Sequence, residues 1–256
     1  MHEAGKNHSH QVFVFAGHDP TGNAGILRDI EVCKFHDTDY QAMPTAFTRQ
    51  TDSRYFGAAH PSRRYYRKSL KRVKIDNIHS IKIGMLGKKR AVDFIIELIH
   101  NARKINPDLK VVWDPVFTSS SGGKLISRWA KRRALKNLLP LIDLLTPNAI
   151  EACHLLGIVY RQDLNQQELC EALYKKYQTA IILKGGHLNQ KATDMYYDGN
   201  TLKTMPAPIS FKKLRGTGCA FSTTIACHLA NGDSLLDACL AGKEFMNRLF
   251  LESIKL

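Results

Sequence analysis

Short apolar runs alternate with amphipathic segments along most of the chain, and this alternation restricts the fold more than any other feature. Val12–Phe15, Ala42–Phe47, Ser80–Ile83, Lys110–Trp113, Leu141–Leu145 and Ala180–Leu183 have strand length. Between them, Ala24–Phe35, Ser62–Val73, Ala91–Asn101, Ser127–Leu139, Ala149–Leu156 and Gln166–Tyr177 carry apolar residues at helical spacing. Strands that alternate with helices build βαβ units, and a mostly parallel sheet must be covered by helices on both faces. Tyr196–Tyr197 and Leu202–Thr204 bracket Asp198-Gly199-Asn200 and predict a β-hairpin. Two helices, Cys219–Ala230 and Ser234–Leu251, follow it. No repeat or compositional break divides 1–256, so one α/β domain is expected, with 1–10 a flexible polar tail.

Charge and cysteine usage narrow the function classes. Lys and Arg number 37 against 23 Asp and Glu, a formal charge of +14. With 44% apolar residues the chain is no disordered basic tail. The densest basic runs, Arg63 to Lys74 and Arg128 to Lys136, fall in helical patterns and read as solvated helix faces. The other reading is attraction of anionic substrates or nucleic acid, with Tyr65 and Tyr66 available to stack on bases. Cys33, Cys153, Cys170, Cys219, Cys227 and Cys239 form no CxxC pair, which argues against zinc and against a disulfide framework. No run approaches the roughly 18–20 apolar residues of a membrane span. The polar N-terminus has no apolar h-region, so a cytoplasmic protein without a membrane partner is expected.

In an open parallel sheet, ligands bind beyond the carboxyl ends of the strands. Four segments there carry chemistry. Gly17-His18-Asp19-Pro20-Thr21-Gly22-Asn23-Ala24-Gly25 is a tight loop feeding a helix, suited to a polar or anionic ligand or simply to a turn. It is neither a dinucleotide fingerprint nor a P-loop. Lys184-Gly185-Gly186-His187 sets a charged donor beside exposed amides after a strand, which suits phosphate, or is a turn glycine pair with a surface lysine. Arg215-Gly216-Thr217-Gly218-Cys219 opens a helix rich in small residues, where either successive amides make an anion hole and the helix dipole favours a thiolate, or a buried structural cysteine follows a Gly-rich cap. Thr146-Pro147-Asn148-Ala149-Ile150-Glu151 opens another. There Glu151 could face Mg²⁺ through water, or close a capping box with Asn148. Asp114 also ends a strand, facing a metal-bound phosphate or capping a turn.

Together these segments resemble the hydroxymethylpyrimidine/phosphomethylpyrimidine kinases of thiamine biosynthesis, in the ribokinase-like superfamily. The matching pieces, in the family's order, are AGHDPTGNAGILRD, TAFTRQT, KIGML, VVWDPV, LLTPNAIEA, IILKGGH and RGTGCAFSTTIA, from Ala16 to Ala226. The resemblance implies a three-layer α/β/α sandwich and ATP- and Mg²⁺-dependent phosphorylation of a pyrimidine by a homodimer. It implies Cys219 as catalytic base, with Gly216, Thr217 and Gly218 as the anion hole and Lys184 on the transferring phosphates. Gly17, Asp29, Gln50, Met85 and Val116 would line the pyrimidine site, with Asp114 and Glu151 near the metal.

The chain departs from the family's pattern at His18, Asn23, Leu27-Arg28 and Arg215, and in Phe117-Thr118-Ser119-Ser120-Ser121-Gly122, which replaces a Lys-containing segment. The family can phosphorylate the hydroxymethyl group and then the resulting monophosphate, and these changes bear on the substrate and on that second step. The alternatives are a pyridoxine/pyridoxal kinase of the same superfamily, and an inactive nucleic-acid-binding or regulatory protein. Against the latter stand the intact Gly216–Cys219 segment and Lys184.

Overall fold

The computed structural model describes residues 10–51, 54–119, 122–186, 193–206 and 215–254. The expected tail at 1–10 therefore lies outside the described residues, His10 excepted. Among the described residues one nine-stranded sheet runs β3-β2-β1-β4-β5-β6-β7-β8-β9. Its parallel part is β2 (Asp39–Gln50), β1 (Gln11–His18), β4 (Ile78–Ile83), β5 (Lys110–Trp113), β6 (Leu144–Leu145) and β7 (Ala180–Leu183). The antiparallel edges are β3 (Tyr55–Ala59) on one side and the hairpin β8 (Thr193–Tyr197) and β9 (Leu202–Pro206) on the other.

Alternate residues of the buried strands feed two cores, because successive strand side chains point to opposite faces. Phe13, Phe15, Ile81, Ile83, Val111 and Trp113 pack with α2 (Arg63–Leu70), α3 (Lys89–Ile105), α4 (Arg128–Arg133), α5 (Ala149–Leu156) and α6 (Gln166–Tyr177). Val12, Val14, Ala16, Val112 and Ile182 pack with α1 (Gly25–Phe35), α7 (Thr217–Ala230) and α8 (Leu235–Ile254). The result is the expected α/β/α sandwich. Tyr66 stacks on Phe94 and tilts against Phe15, fixing α2 to the sheet, whereas Tyr65 is exposed beside the solvent-facing Arg63, Arg64 and Arg67.

Three local expectations need correction. The strand expected over Leu141–Leu145 shortens to Leu144–Leu145, because the chain is still in a 3₁₀ turn at Leu139–Leu141 with Pro140 inside it. The helix expected over Ser127–Leu139 is α-helical only to Arg133 and widens into a π-turn over Ala134–Leu138. β3 was not foreseen: Tyr55–Ala59 is short, has a glycine at its centre and is only partly buried, so it has no clean two-residue alternation.

Candidate active site

The carboxyl edge of the sheet is held in register past the strand ends. Gly84 donates to Phe15 O (2.9 Å), Asp114 to Ile83 O (2.8 Å), Thr146 to Trp113 O (3.1 Å) and Lys184 to Pro147 O (2.9 Å). Each motif that followed a strand in the sequence is thereby brought to one edge. The loop after β1 folds back through the Thr21 amide and hydroxyl on Asp19 Oδ1 (3.0 and 2.9 Å) and a His18–Gly25 bridge.

At the cap of α7, Gly216 has φ +72°, a left-handed conformation that favours glycine. It has no side-chain cap, so the first amides of α7 lack the intrahelical partners that later ones have. Cys219 sits in this first turn and is half-buried, whereas the other five cysteines are fully buried and all six are free. Two contacts give the turn its chemistry. A β-carbon on Gly218 would lie 3.3 Å from Lys184 Nζ and 3.4 Å from Asp114 Oδ2, so lysine, carboxylate and anion hole are adjacent. The Gly25 backbone amide favours the thiolate form of Cys219. Burial pushes the thiol up to about 11, with Asp29 and Asp114 adding to the rise and Lys82 and the Gly25 amide opposing it. Burial therefore dominates, and the ligand-free thiol is protonated at neutral pH.

Lys184 Nζ donates to Asp114 Oδ1 at 2.8 Å, and Thr146 Oγ1 donates to the same oxygen at 3.2 Å. Burial works against the Lys184 ammonium, but Asp114 and Glu151 beside it prevail and hold its pKa above the usual lysine value. Glu151 realises the capping box: its Oε2 accepts from the Asn148 amide (2.8 Å) and Asn148 Oδ1 accepts from the Glu151 amide (2.9 Å). Burial pushes its carboxyl up to about 7, against the pull of Lys184 and with a further push from Asp114. Two buried carboxylates that crowd each other beside an anion hole suit Mg²⁺, which takes one or two carboxylates and completes its shell with water and phosphate. Among the described residues no cluster of three or more His, Cys, Asp or Glu forms a protein cage for a metal.

Gly17, Met85 and Val116 come together on the other side of the cleft. A β-carbon on Gly17 would lie 2.7 Å from Met85 Sδ, and Met85 shares a small apolar cluster with Ala46 and Val116. Met85 also borders a cavity of about 170 Å³ with Tyr55 and His60. Gln50 ends β2, three residues past the last β1 partner Phe47, and is half-buried. The neighbouring Thr51 carbonyl accepts from Arg215 at 3.4 Å, and Arg215 pairs with Asp19 Oδ2 at 3.3 Å. Arg215 thus bridges the ends of β1 and β2 beside the anion hole.

Asp29 is the correction. It does not line the cleft: it is fully buried and paired with the equally buried Lys82 at 2.7 Å, and Thr223 Oγ1 donates to it at 2.7 Å. The reason is its place on α1, where Ile26, Asp29, Val32 and Cys33 form the face turned into the core. Sequence reading also passed over Lys82, although a lysine within the apolar strand Ile78–Ile83 is a signal, since a fully buried lysine needs an anion. A larger cavity, about 560 Å³ between α2 and α3, is lined by Arg63, Arg67, Arg90 and Glu97 and lies away from this constellation.

Comparison with known proteins places the chain. The family model described as phosphomethylpyrimidine kinase matches residues 19–256. The hydroxymethylpyrimidine/phosphomethylpyrimidine kinase of Haemophilus influenzae is 31% identical over 92% of this chain and 89% of its own length. The crystal structure of phosphomethylpyrimidine kinase from Clostridium difficile superposes with a TM-score of 0.77 at 27% identity, over 95% of this chain and 99% of that one. The pyridoxal kinase of Staphylococcus aureus in complex with AMP-PCP and pyridoxal superposes with a TM-score of 0.78 at 25% identity, over 93% and 86%.

Proposed function

The chain belongs to the phosphomethylpyrimidine kinase family, and on that premise we propose that it transfers a phosphoryl group from ATP to hydroxymethylpyrimidine, to its monophosphate, or to both, in thiamine biosynthesis. The observation that carries this reading is the first turn of α7, where Cys219 stands in a run of uncapped amides and Lys184 and Asp114 lie beside Gly218.

Phosphoryl transfer needs positioning and charge stabilisation more than covalent help. The Cys219 thiolate, the minor form at neutral pH, takes the hydroxyl proton as the substrate oxygen forms its bond to the γ-phosphorus and the bond to the departing ADP breaks. The amides of Gly216, Thr217 and Gly218 receive the phosphoryl oxygens, and the Lys184 ammonium faces the charge that develops on them. Asp114 and Glu151 would hold Mg²⁺, which when bound neutralises phosphate charge. Gly17, Met85 and Val116 supply an apolar seat for the ring. Gln50 offers both an amide donor and an acceptor to an aminopyrimidine edge. ATP as donor is supported by the complex of the S. aureus pyridoxal kinase with AMP-PCP.

A pyridoxal kinase reading has support in the same superposition and differs only in the ring. Six free cysteines suit a reducing, cytoplasmic compartment. Among the described residues no helix is long and apolar enough to cross a membrane. A homodimer completes the proposal, as the family resemblance implies.

The test is turnover. Purified protein with ATP, Mg²⁺ and hydroxymethylpyrimidine or its monophosphate releases ADP, with pyridoxal run alongside. Folded, ATP-binding protein that acts on pyridoxal alone would overturn the pyrimidine assignment.

A further inference from the structure

The Lys82–Asp29 pair takes no part in the steps above, yet it lies directly beneath them. Both side chains are fully buried, and Lys82 Nζ is 2.7 Å from Asp29 Oδ1. Taking two charges out of water costs several kcal/mol per ion, so a sealed pair is a poor source of stability. It is also incompletely satisfied, because Asp29 Oδ2 is buried with no hydrogen-bond partner among the described residues.

Its position relates it to the sulfur. Thr223, which donates to Asp29 Oδ1, is four residues beyond Cys219 on α7 and shares its face one turn below. Lys82 Nζ lies against Gly84, where a β-carbon would approach it to 3.3 Å, at the strand end that opens onto the cleft. Four charges act on the Cys219 sulfur through space: Lys82 from β4, Asp29 from α1, Asp114 after β5 and Lys184 after β7. Asp114 and Lys184 are bonded to each other and adjoin the anion hole, where phosphates would alter both. Lys82 and Asp29 are sealed from any ligand, so their field at the sulfur is constant.

We propose that Lys82 and Asp29 are positioning residues for Cys219: the buried ammonium is the permanent counter-charge of the thiolate, and Asp29 fixes how much of that charge the sulfur feels. The pair thus acts on the proton acceptor without touching substrate. This rests on the reading of Cys219 as the proton acceptor.

The experiment reads the sulfur directly. Iodoacetamide alkylation of Cys219, followed by peptide mass spectrometry against pH, reports thiol ionisation without any turnover, so failure of the kinase assignment leaves the test intact. The other five cysteines are buried, which keeps the reaction selective. Lys82→Met is expected to move the inflection to higher pH by about one unit or more, and Asp29→Asn to move it lower. Shifts in the same direction, or none, would overturn the proposal, since loosened packing has no reason to give opposite signs. Breaking a buried pair one partner at a time endangers folding, so the double variant Lys82→Met/Asp29→Leu, apolar and of similar volume, is measured as well. Its inflection is expected to rise, because the sulfur loses its permanent counter-charge. An unchanged inflection in a double variant that melts cooperatively would refute the assignment.

Discussion

The carbonyl oxygen of Asn23 lies 2.1 Å from where a β-carbon on Gly216 would be placed, so the loop after β1 and the cap of α7 meet with no room for a side chain. Residues almost two hundred positions apart form the two walls of the anion hole through that contact. Gly216→Ala must adopt φ +72° and also push the loop away. The backbone conformation alone costs about 1–2 kcal/mol. A fall in Tm of several degrees is expected in calorimetry, with a larger loss in ADP release, because the displaced amides no longer converge.

Turnover should follow the ionisation of Cys219. A thiol pushed up to about 11 is protonated at pH 7, and its thiolate fraction rises tenfold per pH unit. The kcat/KM of the native enzyme is therefore expected to climb steadily between pH 7 and the thiol pKa. Cys219→Ala should lose about 10²- to 10⁴-fold in kcat and show a flat profile, while its ATP affinity by calorimetry is unchanged. A native profile that is flat from neutral pH upward would remove the sulfur from the rate-limiting step.

Lys184→Met tests the phosphate clamp. The lysine holds Asp114 at 2.8 Å and pulls against the rise in the Glu151 carboxyl pKa. Its loss leaves two carboxylates facing the anion hole with no cation. A drop of about 10²- to 10³-fold in kcat is expected, by analogy with removal of a single stabilising donor. ATP affinity should weaken as well, measured in the presence of Mg²⁺.

Acid stability should carry the mark of His36. Burial, with a smaller push from His228, lowers its pKa to about 4, below the unfolded value of 6.5. The unfolded chain binds the proton more readily, so the neutral ring contributes stability above pH 6.5 that is lost as pH falls towards 4. In urea titrations His36→Gln is expected to flatten the dependence in that window. A variant whose stability falls as steeply as the native protein's would exclude the ring.

The main outline of this molecule was legible because parallel strands buried on both faces must be apolar throughout, as Phe13, Ile81 and Val111 are. Glycines at Gly17, Gly216 and Gly218 marked the ligand edge, since close backbone approach leaves few other residues. Asp29 was assigned to the pyrimidine site by the resemblance alone, and its burial depends on which face α1 turns inward. Lys82 had no local signal beyond its apolar neighbours, and its partner lies 53 residues away. The short strand β3 depends on a pairing partner to form at all, and so left no mark in its own residues.

α7 covers β1, β4 and β5, strands synthesised more than a hundred residues before it. Until α7 has left the ribosome, Val12, Val14 and Val112 lack the helix that shields them. A nascent chain truncated before residue 217 is therefore a sticky, inert intermediate, and chaperone demand during translation should peak late, when the sheet is complete and its cover is still inside the exit tunnel.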